Sequence, residues 1–344
     1  MDWKFDFLKY AELEPQKYYE NKDETPNAIK KREAMLSNEN SAYVMSHKWD
    51  GEWSMSIVGD KQLLVRSRSR GVNGTFGNFT DKIPHITVEL NQLPIGTVIL
   101  GELCFPDLKK TAKDVGSILR CLTPKAVERQ KEEANKLYLK VFDCLAFNGE
   151  NITNWRYIDR LMKARFLIEG SIANPTHFKY IKMTEWTLDN FEDFVSKIWS
   201  VGGEGAVIQK MDAKYAPGTR PSWQSLKVKK HMDPLELPVI YWNGATKEYT
   251  GKDSANWPYK DKDGKLVTKY WYNGWAGGIT VNYLGNAVAV SSGLTDEDRE
   301  WLTTDEAAQL IAQGKLYAVI SAMEVTDRHS LRHPILERLR TDEK

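Results

Sequence analysis

The feature that most constrains this chain is the run Lys48-Trp49-Asp50-Gly51, which lies between two segments of strand-like residues, 43–45 and 54–58. An Asp-Gly pair between two such segments predicts a turn that joins two strands. The turn would hold Lys48 at the end of a strand, where its amine could act as a nucleophile, with Asp50 holding a metal ion or hydroxyl nearby. The same four residues also fit an exposed lysine beside a hairpin, so the choice depends on the rest of the chain.

Length and composition limit the class of protein. A chain of 344 residues is long enough for two domains, and its net charge of +1 does not by itself indicate a polyanionic partner. The N-terminus lacks the apolar core of a signal peptide, and no apolar run is long enough to span a membrane. The three cysteines are odd in number and lie far apart, so they match neither a disulfide framework nor a zinc site. We therefore expect Cys104, Cys121 and Cys144 to be reduced thiols. We therefore expect a cytoplasmic protein without a membrane partner.

The first half of the chain alternates between predicted helices and strands. Residues 1–40 are polar and charged, and we expect helices but no chemistry there. Helical periodicity predicts helices over 125–136, 155–169 and 188–199, and apolar runs predict strands over 97–104 and 137–147. The first of these strands carries a single carboxylate, Glu102, and such a residue is usually either paired or functional.

A second informative block spans residues 202–230. Glu204 precedes an apolar strand over 205–210, and a further strand over 225–230 alternates lysines with apolar residues. This alternation places Lys227 and Lys229 on the same face of the strand. Two lysines on one face are more often a solvated surface, but their position just after a glutamate at a strand mouth favours an anion site.

The C-terminal part has a different character. Pro234 ends the preceding strand, and short strands with aromatic-rich turns follow at 237–242, 278–283 and 286–292. Helices are predicted from Thr295 and over 305–312, and then a long strand over 315–325. This pattern fits an OB-type barrel. We therefore predict an α+β chain, with an antiparallel-sheet domain at 1–232 and a C-terminal OB-fold β-barrel at 233–344.

The polar residues placed at strand ends suit one reaction. Lys48 would attack the α-phosphate of a nucleotide, and Lys227 and Lys229 would hold the phosphates. Glu102 and Glu204 would hold a divalent cation. A nucleophilic lysine must lose its proton, and neighbouring cations favour the neutral amine. Because the sequence contains no Walker loop, a triphosphate would have to be held by lysines and metal instead.

These motifs, in this order, resemble those of the nucleotidyltransferase superfamily, and most closely the ATP-dependent DNA ligases of the small bacteriophage type. The matching segments are Lys48-Trp49-Asp50-Gly51 for the adenylated lysine, Ser69-Arg70-Gly71 or Ser67-Arg68-Ser69 for the arginine motif, Gly101-Glu102, Val141-Phe142-Asp143, residues 204–208, Leu226-Lys227-Val228-Lys229, and a closing motif at 330–334 with Arg338, Arg340, Asp342 and Lys344.

The resemblance implies a function and a set of roles. The enzyme would adenylate Lys48 with ATP, pass AMP to the 5′-phosphate of nicked duplex DNA, and seal the nick with the 3′-hydroxyl. It would require Mg²⁺, or Mn²⁺ in its place, and act as a monomer in the cytoplasm (that of the host cell for a viral chain). The implied residues are Lys48, Asp50, Lys227 and Lys229 for catalysis; Arg70, Glu102, Phe142, Lys227, Lys229, Arg340 and Asp342 for ATP, with Phe142 stacking on adenine; Glu102 and Glu204 for metal; and Arg66, Arg68 and Arg70 for DNA.

Two positions depart from the family pattern. Trp53 stands where the family usually has an arginine that helps to bind the 5′-phosphate of the nick. Either another cation, such as Arg66 or Arg68, replaces it, or this chain binds the phosphate less well. Gln209 stands where a lysine usually follows the glutamate motif, and Lys210 comes next. Alternative functions are an RNA ligase or mRNA capping guanylyltransferase of the same superfamily, or a non-catalytic nucleic-acid-binding OB protein. A lysine adduct with ATP, an adduct with GTP, or none would distinguish them.

Overall fold

The computed structural model divides the chain into two units, Met1–Lys229 and Lys230–Lys344. It describes residues 5–18, 25–38, 40–71, 73–171, 173, 175–229, 234–251, 254, 256–322, 324–326 and 330–341. The predicted domain boundary at 232/233 falls outside these ranges and stays a prediction. Among the described residues, no helix combines the length and the apolarity needed to cross a lipid bilayer. All three cysteines are free thiols.

The elements of each unit follow in chain order. The first unit contains α1 (Phe7–Ala11), α2 (Pro26–Ser37), β1 (Tyr43–Lys48), β2 (Glu52–Gly59), β3 (Gln62–Arg70), β4 (Phe76–Asn78), α3 (Pro84–Leu90), β5 (Thr97–Cys104), α4 (Ala112–Leu119), α5 (Thr123–Arg129), β6 (Tyr138–Phe147), β7 (Glu150–Asn151), α6 (Tyr157–Glu169), β8 (Ile181–Met183), β9 (Trp186–Thr187), α7 (Phe191–Ser200), β10 (Gly205–Lys210) and β11 (Ser225–Lys229). The second contains β12 (Leu235–Gly244), α8 (Lys269–Tyr272), β13 (Ala276–Tyr283), β14 (Asn286–Val290), α9 (Asp296–Trp301), α10 (Asp305–Ala312), β15 (Leu316–Ser321), β16 (Glu324–Val325), β17 (Leu331–Arg332) and β18 (Ile335–Thr341).

Two separate sheets build the first unit. One has the strand order β11-β10-β1-β9, and the other has the order β4-β3-β2-β5-β6-β7, with β8 pairing parallel to β6. The predicted turn at Asp50-Gly51 therefore does not close a hairpin, because β1 and β2 belong to different sheets. Gly51 passes so close to β5 that a Cβ built on it would overlap the carbonyl oxygen of Leu103. Only glycine fits at this crossing.

The central strands of the larger sheet are buried on both faces, which explains their nearly continuous apolar sequence. Along β5, Ile99 and Leu103 pack into one core, and Val98 and Leu100 pack into another on the opposite face. A third core of Met45, Ile208, Val195 and other residues lies between the smaller sheet and the helices α2 and α7. Each sheet therefore has a helix-covered face of its own.

A buried ion pair ties β6 to α6. Arg160 donates to both carboxylate oxygens of Asp143, at 2.9 and 3.0 Å, and the two side chains are 0% and 1% exposed. Arg160 also donates to the carbonyls of Trp155 and Ala213. Since all these groups are buried together, the guanidinium satisfies acceptors from three separate parts of the chain.

The second unit is a five-stranded antiparallel barrel with the strand order β14-β13-β12-β15-β18. A parallel bridge between Ser292 and Ile335 brings the end of β14 to β18 and closes the barrel partially, with Leu336 N donating to Ser292 O at 2.9 Å. Helices α9 and α10 lie between the third and fourth barrel strands, and Thr295 and Thr304 cap their N-termini. This connectivity is that of an OB-fold.

Two predicted elements differ in length. The helix predicted over 125–136 ends at Arg129. The next residue, Gln130, is buried, and its side-chain amide donates to the carbonyls of Lys82 and Ala126 instead of facing solvent. The strand predicted over 315–325 is broken, because β15 pairs with β18 in the barrel whereas β16 pairs with β17 in a separate ribbon.

The buried pair yields a prediction about stability. Asp143→Ala leaves the Arg160 guanidinium buried without its carboxylate, so we expect it to lower the free energy of unfolding by about 3–5 kcal/mol. Asp159→Ala is the control: its pair with Arg156 is exposed, and removing it should cost at most about 1 kcal/mol. Urea unfolding of both variants measures the difference. Equal losses would mean that the buried pair has no special weight.

Candidate functional site

A cavity of about 270 Å³ in the first unit is lined by residues from both sheets. Its volume is close to the lower end of the range for small-molecule sites, about 300–1,000 Å³. The smaller sheet contributes Ser46, His47, Lys48, Val207, Gln209 and Lys227, the larger sheet contributes Glu52, Trp53, Arg68, Ser69, Glu102 and Phe142, and Tyr18, Trp49, Gly51 and Tyr157 complete the lining.

Lys48 and Glu204 form an ion pair at one side of this cavity. Lys48 is paired in register with Gly205, so Glu204, the residue just before β10, lies next to the lysine side chain. The Lys48 amine donates to Glu204 Oε2, and Lys229 Nζ lies 3.6 Å from the other carboxylate oxygen. Glu204 is only 8% exposed. A buried carboxylate held between two lysines keeps the Lys48 amine at the cavity.

The alternation of β11 places the other lysines as expected. Lys227 lines the cavity, and Lys229, two residues further along the same face, reaches Glu204. Leu226 points the other way and is buried in the core beneath the smaller sheet. The cavity therefore has cations on the side formed by β1 and β11.

Glu102 and Glu52 are carboxyl groups in the cavity lining, and Glu204 adjoins the lining through its ion pair with Lys48. Burial, opposed by the charge of Lys48 and aided by the charges of Glu204 and Glu52, raises the pKa of Glu102 to about 8. At neutral pH this carboxyl is therefore mostly protonated in the cavity as it stands. Across the described ranges, no three His, Cys, Asp or Glu side chains are grouped as a metal site would need. Glu102 and Glu204 alone do not form a preformed metal cage.

Phe142 presents a partly buried ring to the cavity. Its carbonyl accepts a hydrogen bond from the Tyr157 hydroxyl at 3.2 Å, and the next residue is Asp143, anchored by Arg160. The backbone at Phe142 is thus fixed by these contacts, which sets the position of the ring. Val207 from the other sheet also lines the cavity, so a flat ligand has apolar groups available from both sheets.

The three arginines of β3 have different surroundings. The prediction that Arg66 binds DNA is wrong, because this side chain is 1% exposed and donates to the carbonyls of Tyr10 and Leu13. Arg68 lines the cavity. Arg70 is not part of the lining, and its guanidinium instead pairs with Glu12 and Glu14. Of the two segments that match the arginine motif, Ser67-Arg68-Ser69 is the one whose arginine lines the cavity.

The remaining predicted residues lie elsewhere. Asp50 is partly exposed at the crossing between the sheets and does not line the cavity. Arg340 belongs to the second unit, where it pairs with Glu236 at 2.7 Å. Asp342 and Lys344 are outside the described residues. The two departures from the family pattern, Trp53 and Gln209, are both buried and both line the cavity.

Sequence reasoning missed His47 and Trp49, which flank the lysine. Their rings are in contact, with centroids 4.3 Å apart and planes tilted by 33°, and Lys140 Nζ lies 4.2 Å from the centre of the Trp49 ring. Glu185 pairs with both His47 and Lys140. Although burial raises it, the hydrogen bonds from His47 and Lys140 lower the pKa of Glu185 to about 2. This cluster fixes the end of β1 from which Lys48 extends. Tyr18 was also missed.

Comparison with known proteins identifies the family. A family profile described as "ATP dependent DNA ligase domain" matches residues 26–229. A DNA ligase of Methanococcus aeolicus is 27% identical over 319 residues, which are 86% of this chain and 50% of that protein. A DNA ligase of Methanococcus maripaludis strain C6 is 24% identical, over 77% of this chain and 48% of its own length. The chain spans about half the length of the curated relatives it matches.

Solved structures support the fold. A structure from a study of Lig E DNA ligases covers 87% of this chain with a TM-score of 0.57 at 18% identity, and 93% of that chain is matched. A structure called Pmar-Lig_PreS3 covers 95% of this chain and 67% of its own, with a TM-score of 0.60 at 17% identity. Together with the strand order described above, these matches confirm the predicted fold class, an antiparallel-sheet nucleotidyltransferase domain followed by an OB-fold.

The raised pKa of Glu102 yields a prediction about pH. The folded protein holds this proton up to about pH 8, whereas the unfolded chain loses it near 4.5. Stability is therefore lost as the pH rises through this interval, by at most about 1.4 kcal/mol per pH unit. We expect Glu102→Gln, which stays neutral, to flatten this decline in melting curves recorded from pH 5 to 9. Glu150→Gln, at an exposed position on β7, should leave the decline as in the unaltered protein. Parallel curves for Glu102→Gln and the unaltered protein would refute the assignment.

Proposed function

Because the chain belongs to the ATP-dependent DNA ligase family, we propose that it seals nicks in duplex DNA in three steps that begin with AMP transfer to Lys48. The observation that carries this proposal is the position of the Lys48 amine, held by Glu204 in a cavity with Lys227 and Glu102. The relatives named DNA ligase support DNA as the substrate. We therefore assign the cavity as the ATP-binding site.

In the first step the Lys48 nitrogen attacks the α-phosphorus of ATP, and the bond from that phosphorus to the oxygen bridging to the β-phosphate breaks. Pyrophosphate leaves with the bonding electron pair. Lys48 must react as the neutral amine, and Glu204, which accepts its hydrogen bond, is the group placed to accept the proton. Lys227 and Lys229 lie on the same strand face and stabilise the negative charge that develops on the phosphate oxygens.

A divalent cation would fit the carboxylates present, although these carboxylates alone do not form a complete metal site. Mg²⁺ is typically bound by one or two carboxylates together with substrate phosphates, and Glu102 and Glu204 are two such carboxylates. These residues would hold the ion, with Glu102 ionised in its presence. When bound, the cation would neutralise charge on the triphosphate. Mn²⁺ satisfies the same donors.

We assign the base of ATP to the apolar surfaces of Phe142 and Val207, which come from opposite sheets. A base between them would stack on the Phe142 ring. In the later steps, Arg68 is the cation that we assign to the 5′-phosphate of the nick, in place of the arginine that Trp53 replaces. AMP passes from Lys48 to this 5′-phosphate, and the Lys48 amine is released. The 3′-hydroxyl then attacks the adenylated 5′-phosphate and releases AMP. Arg340 of the OB unit would assist mainly the first step, and a monomer would suffice.

The nucleophile is tested by its covalent product. Lys48→Ala and Lys48→Arg should both lose the adduct with labelled ATP on a denaturing gel, because the guanidinium of arginine stays protonated. Lys113→Ala, at an exposed position on α4, is the control and should label fully. An adduct that survives in Lys48→Ala would refute the assignment. Labelling by GTP instead of ATP would favour a capping enzyme.

The role of Phe142 is tested by ATP dependence. Phe142→Ala should raise the ATP concentration needed for half-maximal adduct formation by roughly 10-fold, since stacking on a base is worth about 1–3 kcal/mol. Phe142→Tyr retains the ring and should stay close to the unaltered protein. Phe147→Ala on the same strand, outside the cavity lining, is the matched control. An unchanged ATP requirement in Phe142→Ala would show that the ring only packs in the core.

A further inference from the structure

The segment formed by residues 12–18, here called the N-terminal strap, lies outside the range matched by the family profile, which begins at residue 26. Residues 13–18 form neither helix nor strand, yet Pro15 and Gln16 in its middle are buried. A polar segment of this kind becomes buried only where its backbone and side chains find partners. The partners of the strap come from both sheets of the first unit.

On one side the strap is held by β3 of the larger sheet. Arg68 donates to the carbonyl of Gln16 at 3.3 Å, while its side chain also lines the cavity. The strap therefore fixes one end of a cation that faces the nucleotide site. The other arginines of β3 add to this attachment, with Arg66 donating to the Leu13 carbonyl and Arg70 pairing with Glu12 and Glu14.

On its other side the strap is held by the loop between β10 and β11 of the smaller sheet. The Gln16 amide donates to the Tyr215 hydroxyl at 3.0 Å, and the Gln16 side-chain oxygen accepts from Ala216 N at 2.7 Å. The Lys17 amide donates to the carbonyl of Thr219 at 2.8 Å. Because it is bonded to both sheets, the strap crosses between them at the edge of the cavity that they enclose.

Tyr18 follows these contacts directly and lines the cavity together with Phe142, Tyr157 and Arg68. Burial raises the pKa of Tyr18 well above its ordinary value, with Tyr157 adding to the effect, so the hydroxyl stays protonated. The cations that suit phosphate, Lys48 and Lys227, extend from the smaller sheet. Tyr18 instead adds an aromatic ring to the others in the lining, among them Phe142 and Tyr157.

We propose that Tyr18 contacts the nucleoside part of ATP and that the N-terminal strap is a third wall of the ATP site, beside the two sheets. This inference rests on the proposed function for the identity of the ligand. Aromatic rings favour contact with a base or sugar over contact with phosphate, which places Tyr18 at the nucleoside. The strap positions Arg68 as well, through the Gln16 carbonyl.

The test compares two substitutions at Tyr18. Tyr18→Leu keeps an apolar side chain but removes the ring, and it should weaken the binding of AMP about 10-fold in a calorimetric titration. AMP is the probe because it carries the nucleoside but cannot adenylate Lys48. Tyr18→Phe restores the ring and should bind within twofold of the unaltered protein. The half-maximal ATP concentration for adduct formation should rise in parallel with AMP dissociation.

Two control variants separate contact from folding. Tyr10→Leu removes another buried ring of the same N-terminal region that does not line the cavity, and Lys9→Ala changes an exposed residue of α1, outside the strap. Both should bind AMP normally, even where Tyr10→Leu lowers the melting temperature. Equal weakening by Tyr10→Leu and Tyr18→Leu would overturn the proposal, because it would assign the effect to stability alone.

A second measurement locates the contact on the nucleotide. Pyrophosphate reverses adenylation, and its half-maximal concentration depends on the phosphate side of the site. Tyr18→Leu should leave that concentration unchanged, and a rise equal to that for ATP would overturn the nucleoside assignment. If the unaltered protein binds AMP but forms no adduct with ATP, the proposed function is refuted. The AMP affinities of the Tyr18 variants would still test the contact between Tyr18 and the nucleoside. Normal AMP affinity in Tyr18→Leu would refute the role of Tyr18.

Discussion

The cavity depends on the crossing at Trp49-Asp50-Gly51, where the chain leaves one sheet and enters the other. Because β1 and β2 pair with different partners, Lys48 extends from one sheet while Glu102 lies on the sheet entered next. The crossing is narrow, since Gly51 lies against the backbone of β5. Any shift at this glycine would therefore also move the strand that carries Glu102. The positions of Lys48 and Glu102 are therefore linked through the three backbone residues of the crossing.

The two carboxylates near Lys48 show how surroundings separate groups of the same chemical type. Glu204 is ionically paired with Lys48 and Lys229, so its negative charge is compensated although the side chain is nearly buried. Glu102 has no comparable pair in the described structure, and burial favours its protonated form. Of these two carboxyl groups, one is therefore ion-paired and the other is favoured in its protonated form, and entry of positive charge would favour ionisation of Glu102.

Much of this arrangement could be predicted from local sequence, and the rest could not. Alternation along β11 placed Lys227 and Lys229 on one face, and the helix predicted from Thr295 begins at Asp296. Local sequence could not show that β1 and β2 part into separate sheets, since an Asp-Gly turn suits either outcome. Arg66, Arg68 and Arg70 share one strand face, so only the groups that cover them decide which is buried and which faces the cavity. Tyr18 could not be predicted, because its position depends on hydrogen bonds to residues about 50 and 200 positions away.

The pairing of β1 with β10 has a consequence for how the first unit folds. Residues 43–48 must meet residues 205–210, so the loop closed by this pairing contains most of the unit, from β2 to α7. Contacts of such long range form late and slowly, because the chain pays the entropy of closure before it gains their energy. We expect the larger sheet, with its short-range hairpin between β2 and β3, to form while the chain is still being synthesised. Lys48 and Glu204 would then meet only after β10 has emerged, so that chemical competence would be among the last properties the domain acquires.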